Sequence, residues 1–205
     1  KHLGRIAVGL GSPYLKFIMQ ELKTALTRGP QIHILSFTIH YLLVVMDGVL
    51  SQGDLDECAG YVIDTVMNDI FGAASEEKEA EGYNKKMKEI KHNKSYDTAE
   101  LLASKMLLQN FSQILNPIRL LLREKLAFKV QKRLDELLRR VSIGLQKNAE
   151  ASSTNSILLC HEIYNQSLVQ EEEKVRRETE SEDHFLVKLD SKPQKTQMEY
   201  TLYSK

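Results

Sequence analysis

The sequence predicts an all-α protein, a solenoid of antiparallel helix pairs. Three observations carry this reading. Apolar residues recur at three- and four-residue steps along most of the chain, the period of a helix with one buried face. Proline and glycine are scarce, at four and ten in 205 residues, which favours helix over an all-β fold. Helix starts fall near residues 13, 54 and 117. The first interval, about 40 residues, fits the HEAT or armadillo period, and the second requires an insertion.

The elements follow in order. Ser12-Pro13 reads as an N-cap followed by proline at the first helical position. Leu15, Ile18, Met19, Leu22 and Leu26 then form one stripe, and Gly29-Pro30 ends that helix. Ile32 to about Met46 is a second, nearly apolar helix, so the two make an αα-hairpin. Gly53-Asp54 with Glu57 reads as a capping box before the stripe Leu55, Ala59, Val62, Ile63, Val66, Met67 and Ile70, which Gly72 stops. Residues 75–95 hold five acids and six lysines, a solvated helix or connection where the insertion belongs. Asp97 and Glu100 restart a helix through Leu108. Asn116-Pro117 marks a cap or kink, leading into a long helix through Val130, Leu134, Leu137, Leu138, Val141 and Leu145. Residues 151–155 are a polar break, and a last helix spans about 156–168. Seven acids between Glu171 and Asp183 open a polar end. The reading is a helical-repeat segment over 1–170 and a charged, flexible tail over 171–205.

Composition bounds function. Lys+Arg and Asp+Glu are both 28, which argues against a wholly basic nucleic-acid binder but leaves room for a local patch. Cys58 and Cys160 cannot form a disulfide scaffold and read as reduced and buried. The chain begins with Lys1, and no basic-plus-apolar leader follows, so it reads as a piece of a longer chain. Ile32 to Val45 is too short for a clear membrane span. His33, Ser36, His40 and Asp47 also share one helical face there, which points to a packed helix rather than a span.

Catalytic and cofactor motifs do not assemble. Gly9-Leu-Gly11 lacks the third glycine of a dinucleotide loop, since Tyr14 stands there. Asp54 and Asp56 open no calcium loop, because Cys58, Ala59 and Thr65 occupy ligand and turn positions. The cysteines have no CxxC spacing for zinc, and no serine sits in a nucleophile elbow. The expectation is a non-enzyme with no cofactor, no metal and no small-molecule substrate.

Basic surface remains. Residues 110–150 carry nine Lys/Arg against four acids. Lys129, Lys132, Arg133 and Arg140 fall near one face of the long helix, a stripe that could follow a phosphate backbone. Lys85, Lys86, Lys88 and Lys91 (with Lys94) form a second cluster and a candidate partner-binding surface. The plainer account of both is a solvated helix face. Aromatic residues are not interleaved with either cluster, so any RNA contact should be to the backbone.

Particular words go further. Ala25-Leu-Thr-Arg-Gly-Pro-Gln-Ile-His33 runs into Phe37-Thr-Ile-His-Tyr-Leu-Leu-Val-Val45. Gly53-Asp-Leu-Asp56, Asp69-Ile-Phe-Gly72, His92-Asn-Lys-Ser-Tyr-Asp-Thr98, Leu101-Leu-Ala103 and Arg139-Arg-Val-Ser-Ile-Gly-Leu145 follow in line. Together, over about residues 3–168, they resemble the giant HEAT-repeat component of the small-subunit processome, the "down-regulated in metastasis" family. The tail is outside that resemblance. The resemblance implies a nucleolar, non-enzymatic scaffold. Its partners would be pre-ribosomal particle proteins, pre-rRNA and small nucleolar RNA, with no membrane. The alternative is a helical-repeat adaptor or nuclear transport receptor that binds proteins only, with the same fold.

Overall fold

The structure is a computed structural model. It describes residues 2–26, 31–72, 94–123, 125–152, 154–166, 168–169 and 176. These residues are helical or in turns, with no strand among them. Two compact units meet at Asn155 and Ser156.

The first unit is two layers of helices. One layer holds α1 (His2–Leu10), α3 (Gln31–Met46), α5 (Ser95–Lys105) and α7 (Phe128–Gln146). The other holds α2 (Leu15–Ala25), α4 (Ala59–Phe71) and α6 (Ser112–Leu122). Packing runs along each layer, α1 to α3 to α5 to α7 and α2 to α4 to α6. It also runs between layers, from α3 to both α2 and α4, and from α4 to α5. Every second helix is thus a lateral neighbour, the arrangement of stacked helix pairs.

The register between α2 and α4 shows the repeat directly. Lys16 donates to Glu57 at 3.3 Å, Gln20 to Tyr61 at 2.7 Å and Lys23 to Asp64 at 3.2 Å, each pair 41 residues apart. That constant offset is the HEAT-like period expected from the helix starts. The core lies between the layers, with Leu15, Met19, Leu42, Leu43, Met46, Val62, Ile63, Leu102 and Ile114 fully enclosed.

Several local expectations are corrected. Helix α1 has no stripe to announce it. It packs through Gly4 and Ala7, while Ile6, Val8 and Leu10 stay exposed. Ser12 is not an N-cap: Gly11 holds that place before a short 3-10 turn at Ser12–Tyr14. The Asp54/Glu57 capping box is not made. Asp54 accepts from the Ser51 backbone, Glu57 pairs with Lys16, and α4 starts only at Ala59. Pro117 lies inside α6, which ends at Leu122, and α7 starts at Phe128, so the expected continuous helix is two. Cys58 is buried as expected, and its thiol is pushed up to about 12 by burial. Cys160 is exposed, not buried.

The apolar α3 carries its polar stripe toward α5. His40 meets Thr98 at 3.2 Å, and Asp47 pairs with Lys105 at 3.2 Å. Burial and the nearby Lys94 charge lower the His40 pKa. No helix among the described residues is long and apolar enough to cross a membrane. The His33 side chain, the Gly29-Pro30 turn, residues 75–93 of the expected 75–95 insertion and nearly all of 171–205 lie outside the described residues, and Ser95, at the end of that expected insertion, begins α5.

The turns that follow α3, α5 and α7 are tied to one another along one edge of the first unit. The Gly53 amide donates to the Lys105 carbonyl at 2.7 Å. Asp56 accepts from the Leu107 amide and the Asn110 side chain. Asn148, buried, donates to the carbonyls of Ala103 and Met106 and accepts from Gln52. Glu150 accepts from the Leu108 amide. Buried polar groups are thereby satisfied across three successive turns.

The second unit begins at Ser156 within a helix described over 154–166. Within it, Asn165 bonds to His161 and Gln166 to Glu162, each one helical turn away.

Candidate nucleic-acid and partner interface

Helix α7 positions the four basic residues singled out from the sequence, and it divides them. Arg133 is half-buried and donates from Nη1 to the Ile70 carbonyl at 3.1 Å. That carbonyl is in the last turn of α4, where a cation suits the negative end of the helix. Arg140 sits among Asp97, Glu100 and Glu136, at 3.1, 3.0 and 3.0 Å. Both guanidinium groups therefore serve packing between helices. Lys129 and Lys132 stay exposed at the start of α7.

The Arg140 side is a network of both signs. Arg139 grips Glu136 through Nε and Nη2 at 2.8 and 2.6 Å. Those hydrogen bonds, with one from Arg140, hold the Glu136 carboxyl at about 2. Lys147 and Arg140 likewise lower the Glu100 pKa. An open groove of about 330 Å³ beside it is lined by His40, Val44, Asp97, Glu100, Arg140 and Lys147. Acids and bases alternate there and satisfy each other, so the groove has no net preference for an anion.

The start of α7 differs. Its N-cap, Ala127, makes no side-chain cap hydrogen bond, and the first turn carries no acid. Lys125, Lys129 and Lys132 gather at that end, where the positive end of the helix dipole favours negative charge. Phe128 is 70% exposed, and the Lys132 ammonium lies 4.7 Å from its ring centroid. An exposed aromatic therefore does stand among the basic residues, contrary to the expectation of none. Its position directly before Lys129 was the available signal. A cation and an aromatic side by side can hold a phosphate and a stacked base together.

Lys85, Lys86, Lys88 and Lys91 lie outside the described residues. No group of three or more His, Cys, Asp or Glu among the described residues is arranged to hold a metal ion.

Fold and surface define a class: a helical-repeat protein with a mixed-charge lateral joint and a basic helix start. The family comparison then identifies the chain. Residues 1–164 match the model of the U3 small nucleolar RNA-associated protein 20 domain, and the chain belongs to that family. It is 42% identical over 196 residues to U3 small nucleolar RNA-associated protein 20 of Saccharomyces cerevisiae. It is 37% identical over 175 residues to the protein of that name in Schizosaccharomyces pombe. These matches cover 93% and 85% of the chain but only 8% and 7% of the relatives. The 7% of the chain outside the first match is shorter than the 171–205 tail, so the likeness extends into the tail, beyond the stretch whose words carried the resemblance.

Proposed function

We propose that this chain is a non-enzymatic scaffold segment of the small-subunit processome, acting in the nucleolus in pre-rRNA processing and small ribosomal subunit assembly. The family match over residues 1–164 carries this reading, because the relatives are named for association with the U3 small nucleolar RNA. The two-layer fold supports it, since stacked helix pairs offer extended surfaces to several partners.

RNA contact, in this reading, falls at the start of α7. Lys129 and Lys132 meet phosphates, and Phe128 offers a ring to a base. Arg133 and Arg140 shape the surface from behind. Lys85, Lys86, Lys88 and Lys91 remain the proposed contact to particle proteins. The protein-only adaptor reading gains from one observation: Arg133 and Arg140 bind a backbone carbonyl and carboxylates within the chain.

The test is crosslinking of the full-length protein in cells, followed by sequencing of attached RNA. Small-subunit precursor rRNA and U3 small nucleolar RNA should be enriched, with crosslinked peptides mapping to 125–132. A protein that crosslinks to no RNA returns the lysines to solvated surface and moves the function to protein partners.

A further inference from the structure

We infer, resting on the RNA contact proposed for α7, that the start of this helix takes an unpaired base and so selects single-stranded RNA over duplex. Two lysine–aromatic pairs differ in what they leave open. In the joint between α2 and α4, Lys23 lies 5.1 Å from the Tyr61 ring centroid. Its ammonium also pairs with Asp64 at 3.2 Å, and the Tyr61 hydroxyl accepts from Gln20. Cation and ring are both engaged within the chain. On α7, Lys132 lies 4.7 Å from the Phe128 ring centroid and has no carboxylate partner among the described residues. Phe128 remains 70% exposed. The two side chains stand one helical turn apart, so the lysine covers one face of the ring and leaves the opposite face to solvent.

The charge around the ring selects the occupant. Residues 123–135 hold Lys or Arg at 123, 125, 129, 132 and 133, against Glu124 and Asp135. Arg133 is turned to the Ile70 carbonyl, whereas Lys125 and Lys129 are exposed on either side of Phe128 in the chain. An apolar protein surface seated on Phe128 would strip water from these lysines without pairing them. A ligand with a flat apolar face set between anions meets both demands. A nucleotide base with a phosphate on each side has that form.

Strandedness follows from the face. In a duplex both faces of a base are covered by its neighbours, so the lysines would still meet phosphates but Phe128 would gain no stack. In a single strand the ring takes the place of a neighbouring base. Gln131, three residues on, donates to the Leu126 carbonyl at 3.2 Å, which turns its amide donor away from a stacked base. The selection is therefore for an unpaired base rather than for one kind of base.

Footprinting of the purified full-length protein with a short unstructured RNA oligonucleotide, single-stranded or annealed to its complement, tests this. Acetylation of Lys129 and Lys132 reads phosphate contact, and hydroxyl-radical labelling of Phe128 reads the stack. Phe111, 2% exposed, is the buried reference. Both RNAs should protect the lysines. Labelling of Phe128 should drop about threefold with the single strand and stay at the RNA-free level with the duplex. In Phe128→Leu, the single-strand concentration that half-protects Lys129 should rise about tenfold. Lysines protected while Phe128 keeps its labelling overturns the selection and leaves the RNA contact standing, as does equal protection of Phe128 by the duplex. Lysines that neither RNA protects overturn both. Phe128 already at the level of Phe111 without RNA, or protected by RNA-free particle proteins and not by the single strand, assigns the ring to protein and overturns the selection. An unmoved single-strand curve in Phe128→Leu overturns it as well.

Discussion

The joints α1–α3 and α5–α7 do the same job with opposite chemistry. Both bring a glycine of one helix against its neighbour. At α1–α3 the glycine meets the Tyr41 ring edge and Val45, side chains that can give way. At α5–α7, Gly144 meets the Glu100 backbone carbonyl and Ala103, and the surroundings are Arg140, Glu136, Glu100 and Lys147. The first joint tolerates adjustment. The second is fixed by backbone contact and then overlaid with ion pairs, so cations that face a neighbour can pass for a surface stripe.

The sharpest way to break that contrast is Gly144→Ala. Its Cβ would fall on the Glu100 carbonyl and within 2.8 Å of the Ala103 Cβ. The helices must separate, and unfolding should become easier by about 3 kcal/mol in denaturant melts. A variant as stable as the parent would mean the α5–α7 contact is looser than described. Asn148→Ala comes next. It takes the side-chain donor from the buried Ala103 carbonyl, one of two donors from the Met106 carbonyl and one of two acceptors from Gln52, and should cost about 2 kcal/mol. Gly4→Ala should be nearly silent, within about 1 kcal/mol either way, because alanine's helix preference offsets the 3.0 Å approach to Tyr41. A large loss there would erase the difference between the joints.

The ionic overlay has its own signature. The Glu136 pKa is lowered from 4.5 to about 2, chiefly by the hydrogen bond from Arg139 and then that from Arg140. A lowered carboxylate contributes stability that is complete above the unfolded pKa and is lost as pH falls toward the folded one. Glu136→Gln removes that contribution, so its melting temperature should fall less steeply than the parent's between pH 4.5 and 2. Parallel curves would take Glu136 out of the acid response. The effect is small, since the pair is partly exposed.

Much of the fold could be read before the structure because it lives in period and spacing. The stripe of α4 and the apolar body of α3 are residues that burial alone selects. The 41-residue register between α2 and α4 lies in charged and polar pairs spaced like the helix starts themselves. Helix α1 was hidden because it packs through Gly4 and Ala7, whose small size carries no hydropathy signal. The role of Asp56 was hidden for another reason. Its carboxylate serves the Leu107 amide and Asn110, partners more than fifty residues away that no local pattern reveals. The basic stripe was legible as charge, but which cations face a neighbour depends on how α7 sits on α4 and α5. Arg133 and Arg140 look no different in sequence from Lys129 and Lys132.

That division of α7 is the most direct thing to measure. Two variants of the full-length protein, Lys129→Glu with Lys132→Glu and Arg133→Glu with Arg140→Glu, would be compared by RNA crosslinking and by hydrogen exchange of the α5 amides. The lysine pair should lose crosslinks at 125–132 and keep α5 protected, whereas the arginine pair should lose protection in α5. An arginine variant with α5 fully protected, losing RNA as the lysine variant does, would contradict the account and restore one continuous basic stripe.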